Sequence, residues 1–333
     1  MSNIPLKMFI VACAATTLAA CGGGSVNSAP PPIVSPPPPP PPTPPADPEG
    51  PIGLVSNEPF AVLGVASDYA ADADGNISVG PQERADIALQ YRGSDGSYVL
   101  TLPGYRPGVL QTVGYNGSFK GDRWLTVYGT SNFLLDGESR RQDAFVTLSW
   151  PKGPLSPPES LSYTGWGNWV DDGQFEGTST SGNFGYFAYG IPTAKQDVPV
   201  TGTATYDARI IGSGNENYDP TGVWVDTIDG TAQLRFDFGA GTLAGEMNPT
   251  VCPWDCYYAG KYTFVDTVYA TGSQVFSGRF SFNGKEVPSW FEGSFNGPRA
   301  AELMARFQAP YTVYIDNQPH SGTMGGIWIG KKN

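Results

Sequence analysis

Apolar and polar residues alternate strictly through short segments of the last third of the chain. In residues 232–238, apolar side chains such as Phe236 and Phe238 stand at every second position, with polar residues between them. Successive side chains of a β-strand point to opposite faces, so a period of two predicts a strand with one apolar face. Residues 204–210 and 276–282 alternate in the same way, and we predict strands there as well.

Tight turns separate these segments. Residues 239–241 read Gly-Ala-Gly, and Asn283-Gly284 is a strong signal for a two-residue hairpin because both residues tolerate a positive φ. Further strands are predicted at residues 243–247, 261–270, 290–295 and 323–330. The last third of the chain therefore contains about eight short strands, joined mostly by short turns.

These strands are expected to close into a barrel, because closure removes the exposed sheet edges that invite aggregation. About eight strands form a barrel whose interior is just wide enough for side chains to fill. We therefore predict an all-β fold, with an eight-stranded antiparallel filled β-barrel in residues 197–333. Gly278 and Gly293 face inward in this interpretation, and they are expected to leave room for Phe280 and Phe295.

The preceding part, residues 53–196, is also β-rich but less regular. Alternating apolar residues predict strands around Leu89, Leu100 and Leu148, and long irregular loops separate them. An aromatic content of 13%, a charged content of 15% and 43 glycines fit aromatic strands punctuated by glycine turns. We predict a smaller β-rich domain here, with its boundary to the barrel near residues 192–199.

The N-terminus has the features of a secretory signal peptide. Lys7 precedes an apolar run at residues 8–20, which is shorter than the ~20 apolar residues that a spanning helix needs. Residues 18–21 read Leu-Ala-Ala-Cys and resemble the bacterial lipobox, in which the cysteine is acylated, for example with palmitate. We predict a signal peptide at residues 1–20 and lipidation of Cys21; the alternative is an ordinary signal cleavage just before it.

The segment that follows, residues 21–52, is predicted to be a tether. Residues 30–45 are almost entirely proline, and such a run forms a polyproline II spacer of roughly 3.1 Å per residue. A proline-rich ligand for a partner is the alternative. No aspartate follows Cys21, so we predict anchoring in the bacterial outer membrane, at the cell surface, with the periplasmic face as the alternative. We also predict that the protein is a monomer.

The charge of the chain argues against two classes of partner. The formal net charge is −12, and lysine and arginine form no dense cluster. Nucleic acid is therefore an unexpected partner, as is anionic lipid bound through a basic patch. The predicted contact with a membrane is the lipid on Cys21.

Two cysteines remain after processing, Cys252 and Cys256, because Cys13 leaves with the signal peptide and Cys21 carries lipid. An oxidising compartment favours a disulfide bond between them, with free thiols or a metal as alternatives. A zinc site would need two more ligands, and the chain contains one histidine. We predict the disulfide and no metal or cofactor.

No set of residues predicts catalysis. His320 is expected in an exposed turn, away from the partners that a hydrolytic triad needs. Asp171 and Asp172 are adjacent, and adjacent residues of a strand point to opposite faces, unlike the facing carboxylates of glycosidases. Asp74-Gly75 is better explained as a hairpin turn than as a calcium loop, since the carboxylates expected at the loop's two key positions are missing. We predict that the protein is not an enzyme.

Three tryptophans are candidate residues for binding a partner: Trp166, Trp169 and Trp254. The first two lie in a glycine-rich segment, and the third lies between the cysteines of the predicted disulfide. Tryptophan is enriched in the residues that dominate protein interfaces. Core packing is the alternative for each of them.

Three separated blocks of the sequence, residues 236–245, 291–303 and 325–332, resemble the barrel domain of the transferrin-binding protein B family and its smaller relatives of the factor H-binding type. In that pattern a strand ends in F-x-G-x-F-x-G-P, and a short turn or helix then presents A-x-E-L, here Glu302 and Leu303. The resemblance implies that a handle-like domain precedes the barrel. The family has two lobes of this kind, and this chain has room for one.

The resemblance also implies a binding function. We expect a surface lipoprotein that acts as a binding protein or co-receptor for a protein or for an iron- or haem-bearing ligand. The alternative is an envelope structural or host-interaction lipoprotein without a small-molecule ligand. No binding residue transfers from the family by motif, because the partner is held by variable loops.

Overall fold

The computed structural model describes residues 59–92, 97–103, 108–110, 118–119, 122–129, 144–150, 161–171, 181–217 and 225–333. All of these residues belong to one compact unit, Ala46–Asn333. The predicted signal peptide, Cys21 and the proline-rich tether lie outside the described residues. Within the described ranges, no helix has the length and apolarity that crossing a membrane requires.

The described chain consists mainly of β-strands. Those of the first half are β1 (Ala61–Ala71), β2 (Ile77–Val79), β3 (Glu83–Ala85), β4 (Ala88–Arg92), β5 (Ser97–Thr101), β6 (Gly108–Leu110), β7 (Ser118–Phe119), β8 (Asp122–Gly129), β9 (Ala144–Trp150), β10 (Thr164–Asp171) and β11 (Ser181–Gly190). Those of the second half are β12 (Thr203–Asn217), β13 (Val225–Asp237), β14 (Thr242–Cys252), β15 (Tyr257–Tyr258), β16 (Tyr262–Val268), β17 (Val275–Phe282), β18 (Lys285–Glu286), β19 (Trp290–Asn296), β20 (Glu302–Ile315) and β21 (Gln318–Lys332). Short 3-10 helices occur at Lys195–Asp197 and Pro298–Ala300.

Eight strands of the second half close into an antiparallel barrel. Around the barrel the order is β12, β21, β20, β19, β17, β16, β14 and β13, and β13 pairs again with β12. The short strands β15 and β18 pair with β14 and β17 outside this circle. β13 buries alternate residues: Leu234 and Phe236 are buried, and Arg235 is exposed.

Aromatic rings fill the interior of the barrel. The buried indole of Trp328 stacks on Phe264 and on Phe307, with ring centroids 5.4 Å and 5.5 Å apart. A second group of rings surrounds Phe236 and Phe295, whose centroids are 4.8 Å apart. Aromatic pairs at these separations stabilise the fold by more than the burial of their apolar area alone provides. The predicted fold class, an eight-stranded filled barrel preceded by a β-rich part, is confirmed.

The two inward-facing glycines make room for aromatic rings, but not for the predicted ones. A Cβ atom at Gly293 would overlap the ring of Phe276, and one at Gly278 would overlap the ring of Phe291. The rings come from the cross-strand partners, since Phe276 pairs with Gly293 and Gly278 with Phe291. The prediction named the next inward residue on the same strand, whereas neighbours across a ladder lie closer together.

The turns of the barrel follow their sequence signals. Asn283 and Gly284, with φ of 51° and 74°, form the two-residue turn between β17 and β18, as predicted. In the A-x-E-L block, a 3-10 helix at Pro298–Ala300 precedes β20. Leu303 then points into the barrel and is fully buried.

The first half, which we call the handle, forms a separate antiparallel sheet. Its order is β2, β1, β11, β10, β9, β8 and β7, with β3 paired to β1, and β4, β5 and β6 form a smaller sheet. Leu89 and Leu100 of the smaller sheet share a core with Leu148 and Phe187 of the larger one. The strands predicted around Leu89, Leu100 and Leu148 are all present.

The handle packs against the outer face of the barrel. Ala188 of β11 shares an apolar cluster with Met304 of β20 and Ile327 of β21. The link between the two sheets contains the 3-10 helix Lys195–Asp197. The proposed domain boundary at residues 192–199 falls on this link and stays a prediction.

The end of the barrel that we call the base is where the described chain begins. Ala61 of β1 pairs with Gly190, and Pro192 forms a bridge with Asn296 at the end of β19. The chain that precedes Pro59 therefore joins the fold at the base.

The opposite end of the barrel, which we call the rim, carries different elements. β12 ends there at Asn217, and β14 ends there at Cys252. The turn between β20 and β21, formed by Asp316 and Asn317, also lies at the rim.

Candidate functional site

The rim carries a small loop closed by a disulfide bond. Cys252 and Cys256, four residues apart, form this bond, as the sequence predicts. The chain then turns back, and β15 pairs with the end of β14. Tyr257 packs on the barrel core, whereas Tyr258 is 60% exposed, and its hydroxyl donates a hydrogen bond to Asn248 Oδ1 at 3.0 Å. The loop therefore holds an exposed ring in a fixed position.

A projecting hairpin forms the second element of the rim. β20 and β21 stay paired as far as Ile315 and Gln318. The pairing of β20 with β19 has already ended at Gln308, and that of β21 with β12 at Gly325. The hairpin therefore extends beyond both of its neighbours in the barrel.

The two faces of this hairpin differ. Val313 and Ile315 are buried with the barrel core, and β15 lies against this strand. Thr312 and Tyr314 point away from the core, and Tyr314 is 69% exposed. The Asp316-Asn317 turn has φ values of 50° and 62°, which place both residues in the left-handed region that Asn and Asp tolerate. The hairpin thus presents Tyr314 beside a tight turn.

Polar contacts support the hairpin where it leaves the wall of the barrel. Tyr311 donates a hydrogen bond from its hydroxyl to the buried carboxylate of Asp226. His320 Nδ1 lies 2.7 Å from Glu216 Oε1, and its side chain is 26% exposed. The prediction of an exposed turn for His320 is wrong, because the strand β21 begins earlier than the sequence suggested and pairs this residue with Val313.

Three polar residues on the outer face of β20 bind the handle, and we call them the β20 clasp: Glu302, Arg306 and Gln308. Glu302 is 2% exposed. Its Oε1 accepts the backbone N–H of Ser162 at 2.6 Å, and its Oε2 accepts that of Tyr163 at 2.9 Å. A buried backbone N–H without a partner is costly, so Glu302 holds the start of β10 against the barrel.

Arg306 forms the middle of the clasp. Its Nη1 donates to the carbonyl oxygens of Gly64 and Ala85 at 2.9 Å and 3.1 Å. Its Nη2 lies 2.6 Å from Glu292 Oε1, which also binds Arg84 Nε at 3.1 Å. The guanidinium group therefore connects two handle strands to two barrel strands.

Gln308 completes the clasp by donating from Nε2 to the carbonyl oxygen of Gln82 at 2.6 Å. The Gln82 side chain in turn donates to Ser213 Oγ at 2.5 Å. These contacts fix the handle on the barrel at both β20 and β12.

The environment of Glu302 changes its protonation. Burial raises the pKa of Glu302 above the ordinary value of 4.5. Hydrogen bonds from Ser162, Tyr163 and Thr164 and the positive charge of Lys331 act in the opposite direction and offset burial only in part. The clasp therefore contains a group that takes up a proton more readily in the folded protein than in the unfolded chain.

The structure separates the three candidate tryptophans. Trp169 is 1% exposed and donates from Nε1 to Asn183 Oδ1 at 2.7 Å, in the core of the handle. Trp166 packs in the apolar cluster between handle and barrel. Trp254 lies in the disulfide-closed loop and is 68% exposed. Neither Trp166 nor Trp169 lies in a surface loop, because both belong to β10, a strand with handle core on one face and barrel on the other.

Sequence reasoning missed two exposed rings, Tyr258 and Tyr314. The alternation of inward and outward side chains along a strand indicates that both rings are exposed. Tyr257 and Tyr258 are adjacent, so one of them must face outward if the other is buried. In residues 311–315, the positions that alternate with the buried ones place Tyr314 outside.

The other candidate sites have simple structural explanations. Asp72 Oδ1 accepts the backbone N–H groups of Asn76 and Asp74, each at 2.9 Å, and hydrogen bonds from Asn76 above all lower the pKa of the Asp72 carboxyl. The predicted hairpin turn at Asp74-Gly75 is confirmed. Asp171 ends β10, and Asp172 lies outside the described residues. Among the described side chains, no group of three or more His, Cys, Asp or Glu residues is arranged to hold a metal ion.

The fold and the rim define the class of protein: an all-β chain in which a filled antiparallel barrel is clasped to a second β-sheet and presents exposed aromatic residues at one end. No family model matches the chain. Over 176 residues it is 24% identical to transferrin-binding protein B of Haemophilus influenzae (strain 86-028NP). That alignment covers 48% of this chain and 26% of the relative, so the chain matches about a quarter of the relative's length.

Two solved structures are also similar to the chain. The chain is similar to a mutant of transferrin-binding protein B from Haemophilus parasuis Hp5, with 12% identity, a TM-score of 0.35 and coverage of 83% of this chain and 76% of that one. It is also similar to a surface lipoprotein, with 16% identity, a TM-score of 0.36 and coverage of 81% and 99%. The resemblance inferred from the three sequence blocks is confirmed by the sequence match to transferrin-binding protein B.

Proposed function

We propose that the protein is a lipoprotein of the bacterial outer membrane, anchored through Cys21 and exposed at the cell surface, that binds a macromolecule on its outer surface. The observation that carries this proposal is the filled barrel. Trp328, Phe280 and Phe307 are all fully buried and occupy the interior together. A ligand inside the barrel would have to displace these rings, so binding on the outside is favoured over carriage of a small molecule.

The sequence match supports the choice of ligand. The relative in H. influenzae is named for binding transferrin, and transferrin is an iron-bearing protein. Transferrin is therefore our first candidate partner, with other iron- or haem-bearing proteins next.

A binding measurement tests this proposal. The full chain is purified in mild detergent and titrated with iron-loaded transferrin, iron-free transferrin and free haem. We expect saturable binding of a protein ligand and no stoichiometric binding of free haem inside the barrel. Stoichiometric haem binding that quenches Trp328 would contradict a filled barrel. Absence of binding to every iron-bearing protein would favour the alternative, an envelope structural or host-interaction lipoprotein.

A second experiment tests anchoring and exposure. Cells are labelled with a palmitate analogue and then shaved with protease. We expect the label on the wild-type chain but not on Cys21→Ser, and loss of the barrel on shaving of intact cells. Label on the Cys21→Ser variant would contradict the assigned anchor, and a protease-resistant barrel would place the domain on the periplasmic face.

A further inference from the structure

We propose that the rim is the docking surface and that it receives a folded protein whose contact face presents lysine or arginine side chains. This inference rests on the proposed function, because it names the surface and the chemistry of the partner. We call Trp254, Tyr258 and Tyr314 the rim aromatics.

Exposed apolar side chains are sorted between the two ends of the barrel. Among the described residues, six large hydrophobic side chains are markedly exposed. The three aromatic ones are the rim aromatics, at 68%, 60% and 69% exposed. The others are Val200, Val268 and Val275, at 57%, 66% and 60% exposed, and they lie at the base. Aromatic residues provide binding hot spots far more often than valine does, so the rim is the better docking surface.

The backbone segments that carry the rim aromatics are held in place before any partner arrives. A disulfide bond closes the loop that carries Trp254. The hydroxyl of Tyr258 is bonded to Asn248, and Tyr314 extends from a paired strand. A backbone fixed in this way loses little conformational entropy on binding, which favours a rigid partner.

Acidic residues accompany these rings. Asp255 is exposed next to Trp254, and Asp316 is exposed two residues after Tyr314. Lys261, three residues after Tyr258, is already paired with Glu246, with Nζ and Oε2 2.5 Å apart. An exposed ring beside a carboxylate attracts lysine and arginine through cation–π and ionic contacts. The net charge of −12 steers cationic partners toward the molecule.

The arrangement favours a folded protein over a membrane or a small ligand. The three rings sit on two separate elements that stand out from the barrel, the disulfide-closed loop and the projecting hairpin. An anionic lipid surface would be repelled by the acidic chain. The chain also joins the fold at the base, so the rim is the end opposite to the predicted tether.

Binding to a defined cationic protein tests the proposal. The full chain in mild detergent is titrated with native lysozyme and with lysozyme whose lysines have been acetylated, which removes their charge but keeps the fold. Transferrin is titrated in parallel. The variants are Trp254→Ala, Tyr314→Ala and the pair Asp255→Asn with Asp316→Asn. Val268→Ala, equally exposed at the base, is the matched control, and thermal unfolding verifies that each variant is folded.

We expect native lysozyme to bind at low salt, with a dissociation constant that rises with salt. Trp254→Ala should weaken binding about tenfold or more, whereas Val268→Ala should leave it unchanged. Acetylation of the lysozyme should weaken it similarly. Equal effects of Trp254→Ala and Val268→Ala, or undiminished binding of acetylated lysozyme, would overturn the proposal, as would no binding of native lysozyme. Transferrin that fails to bind while lysozyme binds at the rim would contradict only the proposed ligand; transferrin bound equally well by the rim variants would contradict only the rim.

Discussion

The two faces of β20 illustrate how one strand serves two different interfaces. Leu303, Ala305 and Phe307 point into the barrel and are fully buried among apolar side chains. Alternating with them, Glu302 and Arg306 point outward and bind the backbone of the handle. Both faces are covered, but the inner one is covered by apolar contact alone, whereas the outer one combines hydrogen bonds with the apolar contact of Met304.

This difference shows why a period of two identifies a strand without revealing what covers its polar face. Alternate polar residues usually indicate a solvent-exposed face. On β20 they indicate the contact with a second sheet, whose backbone groups need partners when they are buried. The following substitutions test whether the two faces contribute as this comparison requires.

The largest effect is expected from the inner face. Phe307→Ala should reduce the free energy of unfolding by about 3–5 kcal/mol, because it leaves a cavity beside Trp328. Tyr314→Ala, on the same strand but 69% exposed, is the matched control and should cost less than about 0.5 kcal/mol. Chemical denaturation measures both, and similar losses would mean that the interior is not packed as described.

The second-largest loss of stability is expected from a substitution on the outer face. Arg306→Ala removes two hydrogen bonds to handle carbonyls and leaves Glu292 with fewer partners. We expect a loss of about 2 kcal/mol, together with faster amide exchange in β1 and β3. Arg84→Ala is the control: its guanidinium binds the same carboxylate but is half exposed, and it should cost less than about 1 kcal/mol. An Arg306→Ala variant with unchanged handle protection would contradict the clasp.

Glu302→Gln should produce a smaller effect of about 1–2 kcal/mol at neutral pH. The amide keeps one acceptor for the N–H groups of Ser162 and Tyr163 but turns a second donor toward them. Denaturation of purified protein measures this loss. Glu286→Gln, an exposed carboxylate on β18, is the control and should have little effect.

The difference in stability between the wild type and Glu302→Gln should depend on pH. The folded-state pKa of Glu302 is raised above 4.5, so its stabilising contribution is fully present below that value and is lost as pH rises through the folded-state pKa. The wild type should therefore gain stability relative to Glu302→Gln on acidification from neutral pH. A difference that shrinks on acidification would show that the hydrogen bonds to the carboxylate outweigh its burial.

The smallest effect is expected at an isolated surface ion pair. Lys261 and Glu246 are about half and one-third exposed, and hydrogen bonding to Lys261 lowers the pKa of Glu246. Lys261→Ala should cost about 0.2–1 kcal/mol, and added salt should reduce the difference. A loss as large as that of Arg306→Ala would remove the distinction between the clasp and an ordinary surface pair.

The barrel was predictable from sequence because each of its strands has one apolar face and ends in a short turn. The alternation around Phe236 and the Asn283-Gly284 turn are both local signals. Contacts between distant segments were not predictable in this way. The ring that fills the space at Gly293 comes from another strand, and Trp169 is buried by a sheet whose strands are separated by long loops.

The candidate site was predictable only in part, for the same reason. Trp254 and the disulfide stand together in the sequence, so both were found. Tyr314 joins them only because β20 and β21 extend past their neighbours, a feature of register that the sequence alone does not specify. The clasp was missed because Glu302 and Arg306 have the spacing of a solvated face.

The indole proton of Trp328 gives the most direct test of the filled barrel on which the functional account depends. Its Nε1 is buried and has no hydrogen-bond partner among the described residues. In a nitrogen-15 spectrum, with Trp328→Phe used for assignment, we predict that the indole signal of Trp328 exchanges slowly and is unchanged by free haem or other small ligands. Rapid exchange, or a shift on adding haem, would show an accessible interior and would contradict binding on the outer surface alone.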